Sequence, residues 1–162
     1  MQESLRAAEL FAGLDTAKLT RLGAIARKRT LESGDYLFLL GDSAQYVSLV
    51  VRGLVDLCLP ITIGGVLKDI TVEAVGPGKT IGWSALIRPF RFTLSARAAA
   101  PTEILAFGRL DLEQLFAADP AIERVIRTGI SELMASRLTM FQALWARELQ
   151  RALDPGRQAA SV

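Results

Sequence analysis

The sequence predicts a mainly β fold with flanking helices: an antiparallel barrel or sandwich followed by a long C-terminal helix. Two observations carry this. Between residues 29 and 108, apolar stretches of strand length are cut at near-regular intervals by glycine, the texture of short strands joined by tight turns. On either side, apolar residues recur at helical spacing. The 162 residues are 51% apolar and 22% charged, enough to bury a full core in one domain.

Taken in order, residues 3–28 read as helical. Asp15 can cap a run in which Leu19, Leu22, Ile25 and Ala26 share a face. The preceding Leu10-Phe11-Ala12-Gly13-Leu14 reads as a short turn that packs its large side chains inward. The basic triplet Arg27-Lys28-Arg29 then falls at a helix C-terminus, where cations suit the dipole. The strand-like runs are Tyr36–Leu40, Tyr46–Arg52, Leu54–Ile63, Leu67–Val75, Phe92–Ala98 and Glu103–Phe107. Gly64-Gly65 between two of them is a hairpin signal.

Residues 109–153 return to helix. Asp111 can cap a short helix through Phe116. Asp119-Pro120 starts a longer one, with Asp as cap and Pro in the first turn. Its stripe is Ile122, Val125, Ile126, Ile130, Leu133, Met134, Leu138, Phe141, Trp145, Leu149 and Leu153. More than thirty residues at 1.5 Å rise reach about 45 Å, longer than a domain of this size is wide. The second half is therefore expected to project and to leave Phe141, Leu144, Trp145 and Leu149 uncovered in a monomer, with Leu138, Phe141, Trp145 and Leu149 as the expected dimer contacts. A homodimer through this helix is the expected remedy. Residues 154–162 carry helix breakers and are expected to fray. The expected organisation is one domain over 1–153 and a tail.

Several function classes are excluded or poorly supported. No His is present, so no Ser-His or Cys-His pair and no His-containing zinc site can form. The lone Cys58, in an apolar stretch, reads as a buried structural thiol. No carboxylate pair or metal-ligand motif stands out, so an enzyme is not expected and no metal is assigned. The net charge of +2 gives no electrostatic footprint for nucleic acid. No apolar run reaches the ~20 residues of a membrane span, and Met1–Arg6 lacks a secretory pattern. The expectation is a soluble cytoplasmic protein.

An ordered set of residues points to a family. It comprises Leu10–Leu14, Leu31-Glu32-Ser33-Gly34-Asp35, Gly41-Asp42 and Gly53 within Val51–Val55. It continues with Gly76-Pro77-Gly78, Ile81-Gly82-Trp83-Ser84-Ala85-Leu86-Ile87, Arg91 and Asp119-Pro120. Over about residues 8–150 the chain resembles the cyclic-nucleotide-binding domains of the Crp/Fnr-like superfamily, which includes the catabolite activator and the protein-kinase-A regulatory subunit. The resemblance implies a double-stranded β-helix, or jelly roll, with N-terminal helices and a C-terminal dimerisation helix. It also implies a phosphate-binding cassette, a short helix whose N–H groups face an anion, followed by an Arg. Carried over, the ligand-binding residues are Gly82, Trp83, Ser84, Ala85, Arg91 and Thr93. The implied ligand is a small anion, a cyclic nucleotide such as cAMP or cGMP among the candidates.

Two departures accompany the resemblance. Trp83 stands where the family carries a Glu that accepts a bond from the ribose 2′-hydroxyl, and an indole N–H only donates. Loss of that charged acceptor is worth roughly 1.5–3 kcal/mol, about 10- to 150-fold in affinity. Arg91 also sits a residue or more closer to Gly82 than in well-known members, leaving Arg88 and Arg97 as substitutes. The run from Gly82 to Thr93 is similar to a recurring variant cassette of small bacterial stand-alone members. In some relatives the long helix covers the pocket, which would bring in Phe141 or Leu144. Two readings stay open: a ligand-sensing regulatory module that signals through its C-terminal helix, and a ligand-free dimerisation or interaction module of the same fold. A DNA-binding domain is not expected in residues 154–162, which are too short for one.

Overall fold

The computed structural model describes residues 1–153; the expected frayed tail, 154–162, lies outside the described residues. The chain divides into two compact units, Met1–Ile126 and the part from Arg127 onward.

The first unit opens with α1 (Gln2–Arg6), a 3-10 turn (Glu9–Phe11) and α2 (Thr16–Ala24). Asp15 caps α2 as expected: its carboxylate accepts from Lys18 N at 2.9 Å and from the Lys18 ammonium. Leu5, Leu10, Phe11, Leu19 and Leu22 are buried, and the Phe11 ring meets Phe107 edge to face at 5.6 Å.

Eight strands follow: β1 (Ala26–Leu31), β2 (Tyr36–Phe38), β3 (Tyr46–Arg52), β4 (Val55–Ile63), β5 (Val66–Val75), β6 (Thr80–Ile81), β7 (Ser95–Ala98) and β8 (Thr102–Gly108). They form two four-stranded antiparallel sheets, ordered β1-β8-β3-β6 and β2-β7-β4-β5. The core joins them. Val50 and Ile81 of the first sheet pack with Val55, Leu57, Val75 and Ala96 of the second. Leu31 and Ile104 likewise meet Ala98. Gly64 and Gly65, with φ of +58° and +80°, make the β4–β5 turn and pair Ile63 with Val66. Both positive values fit a type I′ turn, the hairpin connection that matches strand twist.

Three expectations need correction. The helical zone ends at Ala24, not residue 28, and Arg27-Lys28-Arg29 lies in β1 rather than at a helix end. This strand shows no apolar period, because only Leu31 of its six residues is buried. Pairing with β8 holds it, while Lys28 meets Glu103 at 2.8 Å and Arg27 meets Asp111 at 3.7 Å. The two-residue β6 is too short to show any period. Finally, α3 runs Arg109–Ala118 with Gly108 at its N-cap, so Asp111 sits inside the first turn. A carboxylate there still favours the positive end of the helix dipole.

The helix α4 (Pro120–Leu153) begins where expected. Asp119 accepts from Ala121 N at 3.2 Å through one carboxylate oxygen and from Arg21 at 2.7 Å through the other. Ile122 and Ile126 are buried within the first unit. In the second unit Phe141 is half-buried, while Leu138, Trp145 and Leu149 are exposed, Trp145 by 68%.

Candidate functional site

The candidate cassette is built on a backbone reversal. Gly82 leaves β6 at φ +80° and opens a 3-10 turn over Trp83–Leu86. A Cβ there would stand 2.7 Å from the Tyr46 carbonyl oxygen, so neither the dihedral nor the space admits a side chain. Ala85 and Leu86 are buried and anchor the turn from behind. Ser84 and Trp83 are half-buried. The Trp83 indole N–H donates to Thr80 Oγ1 at 2.9 Å, so the residue in the acid's place is tied back to β6, the strand before the turn.

Beyond the turn, Phe90 takes φ +59°, and residues 90–92 run antiparallel to the loop after β2. Ala44 N donates to Phe90 O at 2.7 Å, Phe92 N to Asp42 O at 3.0 Å and Gly41 N to Phe92 O at 2.8 Å. Extended backbone alternates its side chains. Phe92 is therefore buried, while Arg91 and Thr93 are exposed on the alternate positions. The Arg91 guanidinium donates to Gly41 O at 2.8 Å. Among the described residues it has no carboxylate partner.

The Phe92 ring stacks on Phe38 with centroids 3.7 Å apart and planes 9° from parallel. Both rings abut Gly82: a Cβ at that position would meet Phe92 at 3.4 Å and Phe38 at 3.7 Å. The turn residues Gly82–Ala85 and the segment carrying Arg91 and Thr93 thus meet through an aromatic pair. Of the substitutes for Arg91, Arg97 faces Asp56 at 3.9 Å and Arg88 lies 5.7 Å from the Phe90 ring centroid.

Sequence reasoning missed Thr80, Phe38, Gly41 and Arg109 as neighbours of the cassette. Phe38, Gly41 and Arg109 reach it from β2, the loop after β2 and α3, all distant in sequence, and Thr80 lies in the short strand just before it, which shows no apolar period. Elsewhere, burial pushes the Cys58 thiol up from its usual range, against smaller opposing contributions, as suits an inert structural thiol. A hydrogen bond to Asp69 raises the Tyr36 phenol. Among the described residues no group of three or more acidic or Cys side chains is arranged to hold a metal ion, and no helix is long and apolar enough to cross a membrane.

Two packed antiparallel sheets carrying a glycine-opened turn and an arginine-bearing segment define a domain of jelly-roll type. The chain belongs to the cyclic nucleotide-binding domain family, whose model matches residues 28–119, the whole cassette included. That family is regulatory rather than catalytic. A Rhizobium leguminosarum bv. viciae protein named "Probable transcriptional activator" is 28% identical over 127 residues, which are 76% of this chain. The chain spans about half the length (50%) of that curated relative. The N-terminal domain of a transcriptional regulator from Streptomyces coelicolor superposes with a TM-score of 0.70 at 27% identity, covering 85% of this chain and 94% of that one. The Thermus thermophilus catabolite activator protein gives 0.71 at 27%, covering 86% and 62%.

Proposed function

We propose that the chain is a ligand-sensing regulatory module that takes a small anionic ligand at Gly82–Ala85, Arg91 and Thr93. Cyclic nucleotides, cAMP and cGMP first, are the class its family name supplies. Occupancy is reported through α4, which pairs with a second copy along Leu138, Phe141, Trp145 and Leu149, in the cytoplasm. The observation that carries the reading is Arg91. It is exposed within the cassette, uses one donor on Gly41 O and meets no carboxylate among the described residues. A guanidinium so placed can offer a fork to an anion.

The second reading, a ligand-free interaction module, is favoured by a different observation. Phe38 and Phe92 already fill the space beside Gly82, and the Trp83 N–H is already bonded to Thr80.

Thermal unfolding against a panel of cyclic mono- and dinucleotides at millimolar concentration separates the two. A ligand that binds only the native state stabilises it by about 2.7 kcal/mol at a hundredfold excess over Kd. The sensing reading expects a rise of several degrees with one member, abolished by Arg91→Ala. A flat panel transfers the weight to the ligand-free module.

A further inference from the structure

Two local features of this chain run against ordinary preference, and they touch. Phe90 sits at φ +59°, in the left-handed region that bulky side chains avoid. Arg109 is the first residue of α3, where the positive end of the helix dipole disfavours a cation. Its guanidinium lies over the Phe90 ring, 4.6 Å from the centroid. Its carboxylate contact, Glu113, is at 3.7 Å, and its Nε is buried without a hydrogen bond. The ring face therefore supplies a favourable contact that the rest of its surroundings supply only weakly.

The backbone closes the same circuit. Arg109 N donates to Gln45 O at 2.8 Å, and Ala44 N donates to Phe90 O at 2.7 Å. Residues 41–45 are thus bonded to the cassette on one side and to the start of α3 on the other.

We infer that Arg109 is a positioning residue for the cassette. By holding Phe90 in its left-handed turn it sets the direction in which the next residue, Arg91, leaves the backbone. It also makes the cassette and α3 a single cooperative unit. The inference rests on the reading of this cassette as the sensing site, and it names how that site is held and read. The α3 helix runs to Ala118, next to Asp119, the cap of α4, so a change at Phe90 that reaches Arg109 through the ring contact is one helix away from the start of α4.

Hydrogen exchange of the full chain, with no ligand added, tests this in Arg109→Gln, Arg109→Lys, Phe90→Leu and Phe90→Tyr. Coupling between two sites is reciprocal. Arg109→Gln is expected to speed exchange in residues 88–93 roughly three- to tenfold, the range of a half-exposed cation–π contact. Phe90→Leu is expected to speed exchange in Leu112–Phe116 by a similar factor. Phe90→Tyr keeps the ring face and is expected to match wild type in both segments. Arg109→Lys, the milder variant, is expected to show the pattern of Arg109→Gln at smaller size. Changes confined to the substituted residue's own segment would overturn the inference. A flat nucleotide panel removes the sensing reading and leaves this measurement intact, so the two failures are distinguishable.

Discussion

At the scale of single residues, Asp15 gives the clearest pH signature. Bonds from the Lys18 ammonium, first, and the Lys18 backbone N–H hold its carboxyl below the usual carboxylate range. A pKa lowered by folding contributes stability that is present above the unfolded value and is lost as pH falls through the folded one. Urea midpoints of the wild type should therefore fall relative to Asp15→Asn as pH drops through the acid range. Asn caps without titrating, so a constant gap between the two would refute this. Gly82 gives a second residue-scale prediction. Gly82→Ala places a side chain at φ +80° and against the Tyr46 carbonyl, at an expected cost of about 1–3 kcal/mol by urea unfolding.

At the scale of elements, much of the local structure was legible because its causes are local. An Asp cap acts three residues away, and a Gly-Gly turn acts on the two strands it joins. Asp119 belongs with these, with one addition from afar. Its cap was readable from Asp-Pro, but its partner Arg21 on α2 was not. Asp119→Ala removes both interactions and should cost about 1–2 kcal/mol, whereas Arg21→Ala should cost less, as a half-exposed pair does. Equal losses in the two variants would show the cap to contribute nothing.

The cassette was only half legible at this scale. Its residues are contiguous, and their order marked the segment. Which side chains face the interior was decided elsewhere, by pairing of residues 90–92 with 41–44. That register buries Phe92 against Phe38. Phe92→Ala should therefore destabilise by about 3–5 kcal/mol, as large-to-small changes of buried aromatics do. Thr93→Ala, at an exposed neighbouring position, should stay within about 0.5 kcal/mol. Comparable thermal midpoints for the two variants would contradict the assignment of Phe92 to the core.

For the whole molecule, the exposed stripe of α4 leads to a prediction about assembly. Leu138, Trp145 and Leu149 expose large apolar area in a single chain. Soluble proteins cover contiguous area of this kind. Sedimentation equilibrium of the full chain is expected to give a dimer, and Trp145→Glu is expected to shift it toward monomer. A wild-type monomer at all accessible concentrations would remove α4 as a dimer element and, with it, the route of signalling proposed for occupancy.

The sequence by itself determined the class of fold, the caps of α2 and α4 and the β4–β5 hairpin. Each follows from residues within one turn or one strand of each other, where propensity, capping and alternation act directly. Only the tertiary structure decided that the basic run 27–29 is a strand, that Phe92 rather than Arg91 faces inward, and that Arg109 lies over Phe90. These depend on partners far away in sequence. Such contacts form because the folded chain offers an open strand edge, a ring face or a carbonyl in the right place, and no local pattern encodes that offer.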